Sequence, residues 1–261
     1  MRDEWLTDLS RPMAKKVLTS FKSLIKEAQR RGKVAQNVGV PVSIKLGKRK
    51  KPLEVGVDIP ESQEVRRMID ASTGMVRAVI MVAAFAGLRA SELRGLRWSD
   101  VDLKHGQVHI RQRADRYREI GKAKSASAYR TVPIAPLVAN TLREWKLGCP
   151  KGDGGLVFPT TTGIVIDHKK MLLMLLAVEV KAGVVKNDSK PKYTLHDLRH
   201  YFASLCINPR EKGGLELTPK EVQVRMGHAS IVMTLDRYGH LFPAKNDGAG
   251  LAAAVDAIFA T

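Results

Sequence analysis

Apolar residues recur along this chain with two different periods, and the places where the period changes divide it. Near the N-terminus Val17, Phe21, Leu24, Ile25 and Ala28 fall on one helical face, with Ser10 as N-cap, Pro12 in the first turn and Gly32 as the stop. One helix cannot form a core by itself, so it must dock on something else or belong to a larger helical module. Residues 33–57, with Gly39, Pro41 and the run Lys48-Arg49-Lys50-Lys51-Pro52, read as an extended basic connector. From Asp58 the helical period returns over 61–71, 76–86 and 90–96, broken at Gly87. Short β-type runs follow at 101–103, 108–112 and 130–134, the last two flanking a polar stretch, 114–129, that suggests a long hairpin. Helical text resumes at 137–147, 169–181, 195–206, 220–226 and 250–259. The expected fold class is α+β, mostly α, with a small antiparallel three-stranded sheet.

Composition adds a partner to this picture. The chain has 261 residues, 44% hydrophobic and 27% charged, which is the balance of a folded globular protein. Lys and Arg number 44 against 26 Asp and Glu, for a net charge of +18. Residues 1–56 hold 14 of those cations and 5 of the acids, so half of the excess lies in the first fifth of the chain. Such an excess points to a polyanion, nucleic acid first and an anionic membrane surface second. The longest apolar stretch, Ala78 to Leu88, is far shorter than a membrane span, and MRDEWLTDLS lacks the apolar core of a signal peptide. Cys149 and Cys206 are far apart with no CxxC pairing, so a disulfide framework is not expected and a reducing cytoplasm is the default.

Four clusters place polar groups inside apolar helical text. Arg89 follows the Gly87 break, ahead of Glu92 in a new helix; a solvated surface arginine would look the same. In His196-Asp197-Leu198-Arg199-His200, His196 shares a helical face with Arg199 and with His200. That spacing fits ordinary helix polar residues as well as a zinc pair, although Asp197 points roughly 100° away and no third ligand is near. Met226-Gly227-His228 is a tight turn presenting one imidazole. Tyr238 sits in the polar segment Thr234–His240 and, taken alone, reads as structural. Together with a lysine they form a set suited to phosphoryl transfer: a tyrosine nucleophile, arginines for the nonbridging oxygens, and a proton donor for the leaving oxygen.

In this order, and in the segments AGLRASELRGLRW, IGKAKSASAYRTVPI, TLHDLRHYFAS and MGHASIVMTLDRYGHLFP, the sequence resembles the tyrosine recombinases, most closely the phage and genomic-island integrases of bacteria. The resemblance covers about 58 to 245. It implies the recombinase catalytic fold over 57–261, with 1–56 matching only the last helix and linker of the DNA-clamping core-binding domain. It implies cleavage and rejoining of double-stranded DNA at attachment sites through a 3′-phosphotyrosine, serving integration or excision of a mobile element. Arg89 and Arg199 would clamp the scissile phosphate, His196 would act in proton transfer, His228 would stabilise the phosphate and Tyr238 would attack. Glu92 matches the family acid that braces the site. Lys124, nine positions before Pro133 and followed by Ser125, matches the family's acid lysine; Lys122 would be a surface phosphate contact.

The same resemblance implies no cofactor and no metal, a homotetramer on DNA with a monomer possible without it, accessory DNA-bending proteins in some systems, no membrane, and a place in the bacterial cytoplasm at the nucleoid. The helix near 250–260 would dock on a neighbouring protomer or pack on its own domain. Met226 stands where relatives have Leu, the segment 208–214 reads as an additional surface loop, and the N-terminal clamp looks absent, which would weaken DNA binding. A catalytically inactive DNA-binding protein of the same fold is the alternative, and a zinc hydrolase built on His196 and His200 is a third reading.

Overall fold

The computed structural model describes residues 7–44, 51–123, 125–243 and 248–259. Its chain divides into two compact units, Met1–Lys51 and Pro52–Thr261.

The first unit is built on α1 (Arg11–Arg30), with Pro12 in its first turn and Gly32 in the left-handed region just past its end. Ala14 and Leu18 form its buried stripe, while Leu24, expected on that face, is 69% exposed. The connector does not run straight out. Lys22 Nζ donates to the Val40 carbonyl at 3.1 Å, Asn37 Nδ2 donates to the Lys22 carbonyl at 2.9 Å, and Ile44 packs on Ala14 and Leu18. Lys48, Arg49 and Lys50 lie outside the described residues.

In the second unit the text with the most continuous apolar run forms the centre. Helix α3 (Gly74–Ala86) buries Ala78 to Ala84 and Ala86, and packs against α5 (Pro136–Gly148) and α7 (Leu195–Ile207). A helix apolar on all sides must be covered on all sides. Around it lie α2 (Ser62–Asp70), the short α4 (Ala90–Gly95) and α6 (His168–Lys181), the last capped by Asp167, which accepts from the Lys169 and Lys170 amides. The antiparallel sheet has β1 (Val101–Asp102), β2 (Gln107–Ile110) and β5 (Arg130–Pro133) in the order β1-β2-β5, with Val108 opposite Val132 and Ile110 opposite Arg130. The polar stretch between them holds a separate ribbon, β3 (Gln112–Ala114) with β4 (Ile120–Lys122).

Toward the C-terminus come α8 (Pro219–Met226), α9 (Ile231–Tyr238) and α10 (Gly248–Phe259). The segment 208–214 is a surface turn containing Gly213 in the left-handed region. Among the described residues no helix is long and apolar enough to cross a membrane.

Candidate active site

Two glycines set the geometry. Gly87 ends α3 with φ +62°, and a Cβ there would lie 2.2 Å from Phe202 Cδ1. This left-handed stop turns the chain so that Arg89 stands at the start of α4. Gly227 ends α8 with φ +60°, where a Cβ would lie 2.8 Å from the Arg130 guanidinium, and presents His228.

The last carbonyls of a helix have no intrahelical partner and carry the negative end of its dipole. At the end of α8 three successive carbonyls each receive a different arginine. Arg130 Nε donates to Arg225 at 2.8 Å, Arg199 donates to Met226, and Arg89 Nη2 donates to Gly227 at 2.8 Å. Arg199 also donates to the Gly87 carbonyl, so one guanidinium ties the ends of α3 and α8 together. Glu92 completes the frame. Its carboxylate accepts from Arg89 Nη1 at 2.7 Å, from the Arg89 amide at 2.9 Å and from Arg130 Nη2 at 2.8 Å. Burial alone would raise this carboxyl, but Arg130, Arg199 and Arg89 outweigh it and hold it down at about 2. Arg199 is pushed down to about 9 by burial and by Arg89, which leaves it cationic at neutral pH.

The imidazoles differ from one another. His228 is buried, its Nδ1 2.9 Å from Thr234 Oγ1, and burial with Arg199 and Arg89 pushes it down to about 4. His196 stands at the rim, lowered by partial burial and by Arg199. Tyr238, on the last turn of α9, is only 2% exposed. Its ring lies parallel to that of His228 with centroids 6.2 Å apart, and its hydroxyl is 2.7 Å from His200 Nδ1. Burial raises the phenol to about 12 in spite of Arg199, Arg237 and Arg89.

The structure therefore brings Arg89, His196, Arg199, His228 and Tyr238 into one place, from α4, α7, the turn after α8, and α9. Lys124 lies outside the described residues; its neighbours Ala123 and Ser125 line the open pocket in front of Arg89, together with Arg113, Gly227 and Ala229. Among the described residues no group of three or more His, Cys, Asp or Glu could hold a metal. Both ring nitrogens of His200 are already engaged, by Tyr238 and by Arg237, so it does not offer the free nitrogen that a zinc pair with His196 needs.

A family model described as "Phage integrase family" matches residues 60–245. The chain belongs to this family. Among similar proteins, the tyrosine recombinase XerC of Xanthomonas axonopodis pv. citri (strain 306) is 29% identical over 238 residues, covering 89% of this chain and 68% of that protein. A tyrosine recombinase XerC-like protein of Caldanaerobacter subterraneus subsp. tengcongensis is 26% identical, covering 90% of this chain and 64% of that protein. The chain thus spans about two thirds of the length of these relatives. The fold matches that of the Tn1549 transposon integrase in complex with transposon right end DNA, at TM-score 0.69 and 21% identity over 98% of this chain and 83% of that one. It also matches XerA recombinase, at TM-score 0.56 and 21% identity over 92% of this chain and 74% of that one.

Within this phage integrase domain, sequence reasoning passed over three contributors. Arg130 and Arg237 are two cations among the 44 Lys and Arg of the chain, and Thr234 is one hydroxyl among many. Arg130 had one usable signal: a cation in the inward register of a strand, opposite Ile110, needs a buried anion.

Proposed function

We propose that this protein is a site-specific DNA recombinase whose Tyr238 oxygen attacks the scissile phosphorus of double-stranded DNA. The P–O5′ bond breaks, a 3′-phosphotyrosine forms and a free 5′-hydroxyl leaves; attack by a 5′-hydroxyl reverses the step and rejoins the strand. The observation that carries the reading is the convergence of a tyrosine hydroxyl with two arginines and two imidazoles drawn from four separate parts of the chain. Arg89 and Arg199 hold the nonbridging oxygens, whose charge grows in the transition state, and His228 supports the phosphate as a neutral donor. His196, at the rim and free of the hydrogen bonds that occupy His200, accepts the phenolic proton. Lys124 protonates the leaving O5′; the pocket lined by its two neighbours supports this choice over Lys122. The phosphotyrosine keeps the energy of the phosphodiester, so rejoining needs no nucleotide.

The integrases with the same fold were solved with transposon DNA and, for lambda integrase, as a tetramer bound to a Holliday junction. This supports double-stranded DNA as the partner here and a homotetramer as the working form. The exposed Val255, Ile258 and Phe259 of α10 support that helix as an element docking on a neighbouring protomer. The N-terminal unit corresponds to the last helix and linker of the family's DNA-clamping domain.

A nicked suicide substrate carrying the cognate site tests the reading. A denaturation-resistant protein–DNA adduct is expected from the wild type with or without chelator, and none from Tyr238→Phe, which still binds DNA. Folded wild-type protein that binds the site but forms no adduct would establish the inactive DNA-binding alternative instead.

A further inference from the structure

His200 is buried, lies next to the nucleophile and has no part in the mechanism above. Its two nitrogens are committed in different ways. Nε2 is 3.2 Å from Arg237 Nη2, and a guanidinium can only donate, so Nε2 must be the acceptor. Burial, with His196, Arg237, Arg199 and His228 around it, pushes His200 down to about 3, so the ring is neutral and carries a single proton. That proton is then on Nδ1, the nitrogen 2.7 Å from the Tyr238 hydroxyl. Nδ1–H can only donate, and the phenolic oxygen accepts.

We infer that His200, its tautomer fixed by Arg237, is a positioning residue that donates a hydrogen bond to the Tyr238 oxygen and steadies the negative charge developing there during attack. His200 neither gives nor takes the proton of the reaction. The phenolic proton points away from it toward the acceptor at the rim, the Oη–P bond forms, and the P–O5′ bond breaks as before. The donor answers a problem that the fold creates. A hydroxyl this deeply buried loses the water that would solvate a phenolate, and a buried anion without a hydrogen-bond donor is strongly disfavoured. Arg199, Arg237, Arg89, His228 and Cys206 also face this tyrosine from α7, α9, α4 and the turn after α8, but among the described residues His200 is the one bonded to its oxygen. The geometry also explains why the His196–His200 pair is not symmetric: the rings meet edge to face with centroids 4.4 Å apart, one at the rim and the other locked beneath it.

The inference rests on Tyr238 as nucleophile, and the experiment separates the two. Adduct formation on the suicide substrate is measured under single-turnover conditions across pH in wild type, His200→Leu, His200→Asn and Arg237→Leu, with melting checked for each. In His200→Leu the rise of the cleavage rate with pH should move up by about one unit, a loss of about tenfold near neutrality, with DNA affinity unchanged. His200→Asn, whose side-chain amide can place an N–H near the position of Nδ1, should recover most of that loss. Arg237→Leu leaves the core intact and frees the tautomer, so it should shift the profile in the same direction as His200→Leu. An unshifted profile in both leucine variants, or an asparagine variant no better than leucine, overturns the role of His200 while leaving Tyr238 as nucleophile. Absence of any adduct from wild type overturns both.

Discussion

Glu92 shows how little a residue type says about its work. In the sequence it is an acid in the first turn of a helix, where the dipole alone would favour it. In the fold it lies beneath Arg89 and Arg130 and is 5% exposed. Glu92→Gln leaves those guanidiniums without their counter-charge. Removing one partner of a buried ion pair typically costs about 3 to 5 kcal/mol, so a large drop in melting temperature is expected along with loss of adduct. A stability equal to wild type would show that Glu92 does not organise this frame. Arg89, Arg199, His228 and Tyr238 could be named from sequence because their types and order are distinctive. Their partners could not, because a carbonyl at a helix end or a threonine hydroxyl has no signature of its own.

At the scale of elements, two glycine-terminated helices aim the chemistry. Gly87→Ala forces a left-handed backbone on a residue with a Cβ and drives that Cβ into Phe202, a buried ring that cannot retreat. The expected result is a poorly folded protein. Thr194→Ala is the milder counterpart. Its hydroxyl caps α7 by accepting from the His196 amide, while Asp197 accepts from the Thr194 amide and hydroxyl. Loss of the cap should cost about 1 kcal/mol, read by denaturant melts, with a modest fall in cleavage because His196 and Arg199 sit in the first turns. The helices with clear apolar stripes were legible to within a few residues. Helix α9 was not, because its buried positions are Thr234 and Tyr238 while Ile231, Val232, Met233 and Leu235 face out. The β3–β4 ribbon also escaped notice. Its residues lack alternation, and its turn is held by Asp115, whose carboxylate accepts from the Tyr117 and Glu119 amides.

For the whole molecule, buried titratable groups set a pH dependence with a definite sign. The unfolded chain protonates its histidines near 6.5, whereas folding pushes His200 down to about 3 and His228 to about 4. Between those limits the unfolded state binds more protons, so these groups remove stability as pH falls below 6.5. Glu179 acts in the opposite sense. Burial raises it from 4.5 to about 7, so folding takes up a proton in that window and stability falls as pH rises through it. Two protons outweigh one, and melting temperature should decline from pH 7 toward pH 5; a rise over that range would contradict these assignments. The +18 charge makes a second prediction at this scale. DNA binding should weaken steeply with salt, on the order of a thousandfold between 50 and 200 mM if six or more phosphates are contacted.

The sequence by itself determined the helical framework, the basic character and the candidate residues for phosphoryl transfer, because periodicity, charge and motif order are properties of neighbours along a chain. It also led to the recombinase family. Only the tertiary structure decided that three arginines close on the end of one helix, that the connector folds back on α1, and that Tyr238 is buried against the imidazole of His200. Those facts depend on groups far apart in sequence meeting in a water-poor interior, where each cation or hydroxyl must find a partner, and no local pattern names that partner in advance.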